Sequence, residues 1–257
     1  MFSAKKYINL IRYINNWPHY FTAKYFDSSQ DPVKFTAKHQ VRVQVPKGGI
    51  MPIFKEIFME DLYEIDFLKK RLPDNPVIVD VGANVGFFSL FMASQFPKAA
   101  VYAFEPLPGN FKHLEKHFQL NPDKKLVAQN KAVAGSKGTL TLHYNPEVNF
   151  TALASMHTTF DASNTRQVEV ESVSLPDIFN QFNLQKIDLL KLDCEGAEYD
   201  ILYQCPAELF PRISQIAMET HAGKKPNENT EALAAYLQKQ GYQLKSDANH
   251  FIWAWRN

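Results

Sequence analysis

Asp80 is followed by Val81-Gly82-Ala83-Asn84-Val85-Gly86, and Glu105-Pro106 comes at the end of the next apolar run. Gly82 and Gly86 leave room for the backbone to pass close to a ligand. Asp80 stands at the lip of this turn. Glu105 stands where an acid can accept hydrogen bonds from both hydroxyls of a ribose. Asp193 ends a later apolar run, KIDLLKL, and Glu219 and His221 end another, QIAMETH. A glutamate and a histidine two residues apart point the same way from an extended chain. His221 has the intrinsic pKa of a general base, Asp193 is the rival base, and Glu219 completes the catalytic set.

The ligand of the turn can be narrowed by charge. The dinucleotide fingerprint is G-x-G-x-x-G, and Asn84 and Phe87 occupy positions where it needs glycines. Asp80 would also repel a pyrophosphate, whereas it attracts a cation. S-adenosylmethionine carries a sulfonium and an ammonium and fits that requirement. The cofactor set is then Asp80, Gly82, Ala83, Asn84, Gly86, Glu105 and Pro106, with Asp193 at a neighbouring strand end. Asp193, Glu195, Glu219 and His221 could ligate a divalent ion but form no convincing metal set, and a metal-free site is expected. Glu198 opens a helix, where capping and the helix dipole account for an acid without any function.

The elements that position these groups follow from apolar patterning. Pro76 to Val81 is a nearly continuous apolar run, as a strand buried on both faces requires. Phe87, Phe88, Leu90, Phe91 and Met92 follow at helical spacing, with Pro97 beyond them as a stop. AVYAF (Ala100 to Phe104) is the second buried strand, so the unit is βαβ with parallel strands. A helix over 109–120, a strand over 125–133 and strands over 139–144 and 168–173 come next. KIDLLKL (Lys186 to Leu192) and Gln215 to Glu219 supply two more buried strands, whose carboxyl ends face the ligand crevice of an open α/β sheet. A helix over 230–239 precedes an antiparallel hairpin of 242–244 with 251–255.

Residues 1–72 form an extension, and 73–257 the cofactor-binding domain. The extension holds the alternating strand QVRVQV and a helical tract over 52–72 that covers one edge of the pocket. Residues 4–26 place Tyr7, Ile8, Leu10, Ile11 and Ile14 on one helical face. That face is expected to pack on the domain or on a homodimer partner, with peripheral membrane contact the alternative, because basic residues flank an aromatic-rich amphipathic stretch. Residues 145–165 are polar and lack periodicity. They read as a lid or acceptor-binding loop carrying Phe150, Met156, His157 and Phe160.

Three separated blocks resemble one known family. DVGANVGFFSL with YAFEPLPGNFKHLEKH, then SLPDIFNQFNLQKIDLLKLDCEGAEYDIL, then IAMETH are similar, in that order, to motifs of the FkbM-family methyltransferases. The resemblance covers about Glu60 to His221. It implies a Rossmann-like class I methyltransferase fold, with about seven mostly parallel strands and a C-terminal antiparallel hairpin, and S-adenosyl-L-methionine as cofactor. It also implies methylation of oxygen, the acceptor being a hydroxyl on a sugar, glycolipid or secondary metabolite. An amine or carboxylate acceptor, and a cofactor-binding partner subunit without turnover, are the alternatives. In this fold the end of the third strand borders the adenine. Asn130 is the candidate there, because its amide offers both a donor and an acceptor. Glu60 and Tyr63 fall where relatives carry an acid and a tyrosine near the site, but read alone they are surface and packing groups.

Composition sets outer bounds. A net charge of +1 gives no electrostatic footprint for nucleic acid. No apolar run reaches the length of a membrane-spanning helix, and no signal peptide is legible. Two cysteines, Cys194 and Cys205, point to a reducing, cytoplasmic setting.

Overall fold

The computed structural model describes residues 2–25, 31–46, 50–145 and 165–256. The N-terminal part contains α1 (Phe2–Tyr13), α2 (Pro18–Tyr25), β1 (Val33–Thr36), β2 (Arg42–Val45), α3 (Met51–Lys55) and α4 (Ile65–Lys69). The βαβ unit follows as β3 (Val77–Val81), α5 (Phe87–Gln95) and β4 (Ala100–Phe104). Then come α6 (Pro108–Gln119), β5 (Lys125–Gln129), β6 (Ala132–Val133), β7 (Gly138–Tyr144), β8 (Arg166–Val173) and α7 (Leu175–Gln181). The remainder is β9 (Leu189–Leu192), α8 (Glu198–Tyr203), β10 (Gln215–Glu219), α9 (Thr230–Lys239), β11 (Gln243–Ser246) and β12 (Phe251–Trp255).

One seven-stranded sheet runs β11-β12-β10-β9-β3-β4-β5. The strands from β10 to β5 are parallel, and β12 pairs antiparallel with both β10 and β11. The chain winds outward from β3 through β4 to β5 and then returns to the other side of β3 with β9. The order therefore reverses between β3 and β9, which is where an open α/β sheet opens a crevice at its carboxyl edge. All residues of β4 and β9 are buried, as strands covered on both faces must be.

The structure corrects two sequence expectations about these elements. The strand expected over 125–133 is split. β5 ends at Gln129, and Ala132–Val133 pairs instead with β8 in a separate sheet ordered β6-β8-β7. There Ala132 packs with Leu107, Leu142 and Val170 in a small core of its own. The helical tract over 52–72 is also broken. A π-helical turn spans Glu56–Glu60, and Asp61 and Glu64 are left-handed, with φ of 56° and 50°. Asp61 Oδ1 then accepts the Ile65 N–H at 2.8 Å, which starts α4.

The buried apolar positions on and just after α1 are Leu10, Tyr13 and Ile14, the i, i+3, i+4 stripe of one helical face, with Asn9 buried beside them. Ile8 and Ile11 face outward at 63% and 56% exposure, beside the exposed Lys5. The N-terminal part shares its core with α5: Tyr13 and Phe58 meet Phe91 edge-on, with centroids 5.0 and 5.2 Å away. Among the described residues, no helix is long and apolar enough to cross a membrane.

Candidate active site

A cavity of about 440 Å³ opens at the carboxyl ends of β3, β4, β9 and β10. Its lining includes Gly82, Ala83, Asn84, Glu105 and Pro106 on one side and Asp193, Glu195, Glu219 and His221 on the other. Leu140 and Leu142 of β7 add an apolar wall, and Glu56, Ile57 and Tyr63 come from the N-terminal part.

The glycine turn is tied to its neighbours on both sides. Gly82 has φ of +72°, and a Cβ there would lie 1.7 Å from the Asp193 carbonyl oxygen. Only glycine lets the ends of β3 and β9 approach this closely. Gly86, at φ of +90°, likewise faces Leu114 of α6, with only 2.6 Å available to a Cβ. Between them the Asn84 N–H donates to Glu105 Oε2 at 2.9 Å. The buried Asn84 Oδ1, on the cavity lining, has no hydrogen-bond partner among the described residues.

Glu105 is 4% exposed. Burial pushes its carboxyl up to about 7, against hydrogen bonds from the Leu107 and Asn84 N–H groups and the Asn110 amide. Asn130, expected at the adenine, is exposed and off the cavity lining. Its Nδ2 donates at 2.9 Å to the carbonyls of Glu105 and Pro106, so it holds the backbone that carries Glu105.

Asp80, expected at the lip of the turn, is off the cavity lining. It is fully buried behind the turn, where Oδ2 accepts from Ser89 Oγ at 2.7 Å and Oδ1 lies 3.2 Å from Lys191 Nζ. Lys191 therefore supplies the cation that was expected from the cofactor. Burial opposes its charge, but Asp80 and Asp193 outweigh burial and raise its pKa. Its Nζ also donates to the Gly82 and Val81 carbonyls at 2.8 and 3.2 Å. Sequence reading passed over Lys191, yet a signal existed. A lysine inside the apolar run LLKL needs a buried acid, and Asp80 holds the matching position in β3.

Asp193 is half-buried at the end of β9. Its Oδ2 accepts from Tyr63 OH at 3.2 Å and lies 3.6 Å from Lys191 Nζ. Tyr63 is thus part of the site rather than only a packing group, and burial beside Asp193 raises its pKa. Glu60 is exposed and off the lining, whereas Glu56, one helical turn earlier, is on it.

His221 is surrounded by carboxylates. Its N–H donates to Glu198 Oε1 at 2.7 Å, and its Nδ1 lies 3.3 Å from the same oxygen. Nε2 lies 3.6 Å from Glu195 Oε2. Burial disfavours the imidazolium, but Glu198, Glu195 and Asp193 overcome it and push His221 up to about 9. Burial likewise pushes Glu195 up to about 7 and raises Glu219. Helix capping does not account for Glu198: it is fully buried and points at His221. Asp193, Glu219 and His221 each place one potential ligand atom within 4.8 Å of the others, although His221 must first lose its proton to bind a cation. Phe150, Met156, His157 and Phe160 lie outside the described residues.

The strand order, the glycine turn opposite a strand-end acid and the antiparallel β12 define a class I methyltransferase fold. The Methyltransferase FkbM domain matches residues 80–244. Methyltransferase sdnD of Sordaria araneosa is 31% identical over 221 residues, covering 76% of this chain and 83% of that protein. The chain belongs to the FkbM methyltransferase family. It is also similar to 31-O-demethyl-FK506 methyltransferase FkbM of Streptomyces tacrolimicus, 27% identical over 69% of this chain and 76% of that protein. Hexuronic acid methyltransferase AglP of Haloferax volcanii is 24% identical over 73% of this chain and 74% of its own.

Proposed function

We propose that this protein transfers a methyl group from S-adenosylmethionine to a hydroxyl on a sugar, glycolipid or secondary metabolite. One observation carries the reading. The buried Glu105 carboxylate and the Asn84 Oδ1, which has no partner among the described residues, face the same cavity as His221 and Asp193. Two buried acceptors suit the hydroxyl and ammonium donors of that cofactor, and the groups opposite suit an acceptor. The names of two relatives, one specifying a 31-O position and one a hexuronic acid, support oxygen-bearing acceptors.

When bound, the cofactor supplies a methyl group on a sulfonium, open to in-line displacement. The chain's part is alignment and proton removal. Glu105 takes the ribose hydroxyls, while Gly82, Ala83 and Asn84 shape the cradle. Asp80 acts through Lys191, which fixes the Gly82 carbonyl. His221 accepts the hydroxyl proton from its neutral form, and Asp193 and Glu219 flank the acceptor. Because His221 is pushed up to about 9, that form grows through the alkaline range. No metal is required in this reading.

A second reading, an amine acceptor, draws on Glu56 and Glu219, both raised by burial and by nearby carboxylates. Such acids attract an ammonium and can take its proton. Mass-spectrometric analysis of products from paired hydroxyl and amine acceptor panels separates the two. Methylation confined to hydroxyls supports the first reading, and methylation confined to amines removes it.

A further inference from the structure

Glu198 is fully buried beside the cavity, and helix capping does not explain it. The N-cap residue of α8 is Ala197, which makes no side-chain cap. A carboxylate at zero exposure is strongly destabilising unless its oxygens are satisfied. Both are. Oε2 accepts the Gly196 N–H at 2.9 Å and faces Cys194 Sγ at 3.7 Å, while Oε1 accepts the His221 N–H at 2.7 Å and lies 3.3 Å from His221 Nδ1. One carboxylate thus joins the loop after β9 to the loop after β10. The Tyr199 hydroxyl, also from α8, donates to the His221 carbonyl at 2.6 Å. His221 is therefore held through its N–H, its carbonyl and its ring.

We propose that Glu198 is a positioning residue that holds the Nδ1 proton of His221 and turns Nε2 toward the cavity side. A buried carboxylate on one ring nitrogen fixes the tautomer and stabilises the imidazolium that forms when the other nitrogen takes a proton. The inference rests on His221 acting as the base. The groups that face the ring are Asp193 and Glu195 from the end of β9, Glu198 from α8 and Glu219 from the end of β10. Of these, Glu198 alone bonds both the ring and the backbone of His221 among the contacts described.

The test is nitrogen-15 NMR of histidine-labelled, cofactor-free protein across the neutral and alkaline range. Above its midpoint, wild-type His221 should carry its proton on Nδ1. In Glu198→Gln the midpoint should fall by about one pH unit or more, the loss of an adjacent opposite charge. An Nε2–H tautomer in the wild type, or a midpoint that Glu198→Gln leaves in place, overturns the proposal. A carboxamide has a single acceptor oxygen for two N–H groups, so this variant is strained. The wild-type tautomer decides the matter if the variant does not fold. Turnover against pH is read separately: an acid limb that does not follow the His221 midpoint removes the base reading and leaves the Glu198 contact standing.

Discussion

Lys191 Nζ lies 3.2 Å from Asp80 Oδ1 in the middle of the sheet, with both side chains almost fully buried. The acid that opens the glycine turn is therefore neutralised from within the protein before any ligand arrives. The same ammonium bonds the Gly82 carbonyl, so the pair also sets the shape of the turn. Removing one partner of a buried pair leaves the other charge uncompensated, which costs about 3–5 kcal/mol. Lys191→Met should lose stability on that scale in denaturant unfolding. A loss below about 1 kcal/mol, the level of an exposed pair, would show that the pair is not holding the turn.

Glu105 should dominate cofactor affinity. Glu105→Ala is expected to weaken S-adenosylmethionine binding by more than about tenfold, or about 1.4 kcal/mol. Because burial pushes Glu105 up to about 7, wild-type affinity should also rise with pH through that value as the carboxylate forms. Equal affinities in the variant and the wild type would remove Glu105 from the ribose.

His221→Ala should lower turnover by about 10²–10⁴-fold with little change in cofactor affinity. Full activity would exclude it as base. The same residue predicts a pH dependence of stability. Its folded pKa, about 9, lies above its ordinary value of 6.5. The stabilisation is therefore complete below about 6.5 and is lost as pH rises through about 9. It amounts to at most about 3.5 kcal/mol. Unfolding free energies measured across that window should fall in the wild type and be flatter in His221→Ala. The same slope in both would show that His221 does not titrate with an elevated pKa.

Turnover should survive a chelator. Asp193, Glu219 and His221 are close enough to share a cation, so the result is informative in both directions. Activity lost in EDTA and restored by magnesium would replace the proton-transfer account with metal-assisted chemistry.

The parts of this fold that are legible in sequence are those made by local apolar runs. The βαβ unit from Pro76 to Phe104, the parallel β9 and β10 and the closing antiparallel pair all follow from short buried strands set between turn residues. The misreadings come from non-local contacts. Asn130 reads as a ligand group, but it lies off the cavity lining and its Nδ2 donates to the Glu105 and Pro106 carbonyls of the neighbouring strand end. Lys191 signals a buried acid without saying which one, and Glu198 has an adequate local explanation as a helix-start acid. Their actual partners, Asp80 and His221, are distant in sequence and meet only through the order of the sheet. Ile8 and Ile11 fit an apolar face by count, but of that face only Leu10 and, just past the end of α1, Ile14 are buried, together with Tyr13, while both other isoleucines are exposed.

Calorimetric titration of the purified protein with S-adenosylmethionine, and separately with NAD, tests the central claim most directly. Micromolar binding of S-adenosylmethionine and none of NAD is the predicted result, as expected for a cavity that offers buried carboxylate and amide acceptors and lacks the second and third glycines of a pyrophosphate turn. Binding of NAD with no binding of S-adenosylmethionine would contradict it.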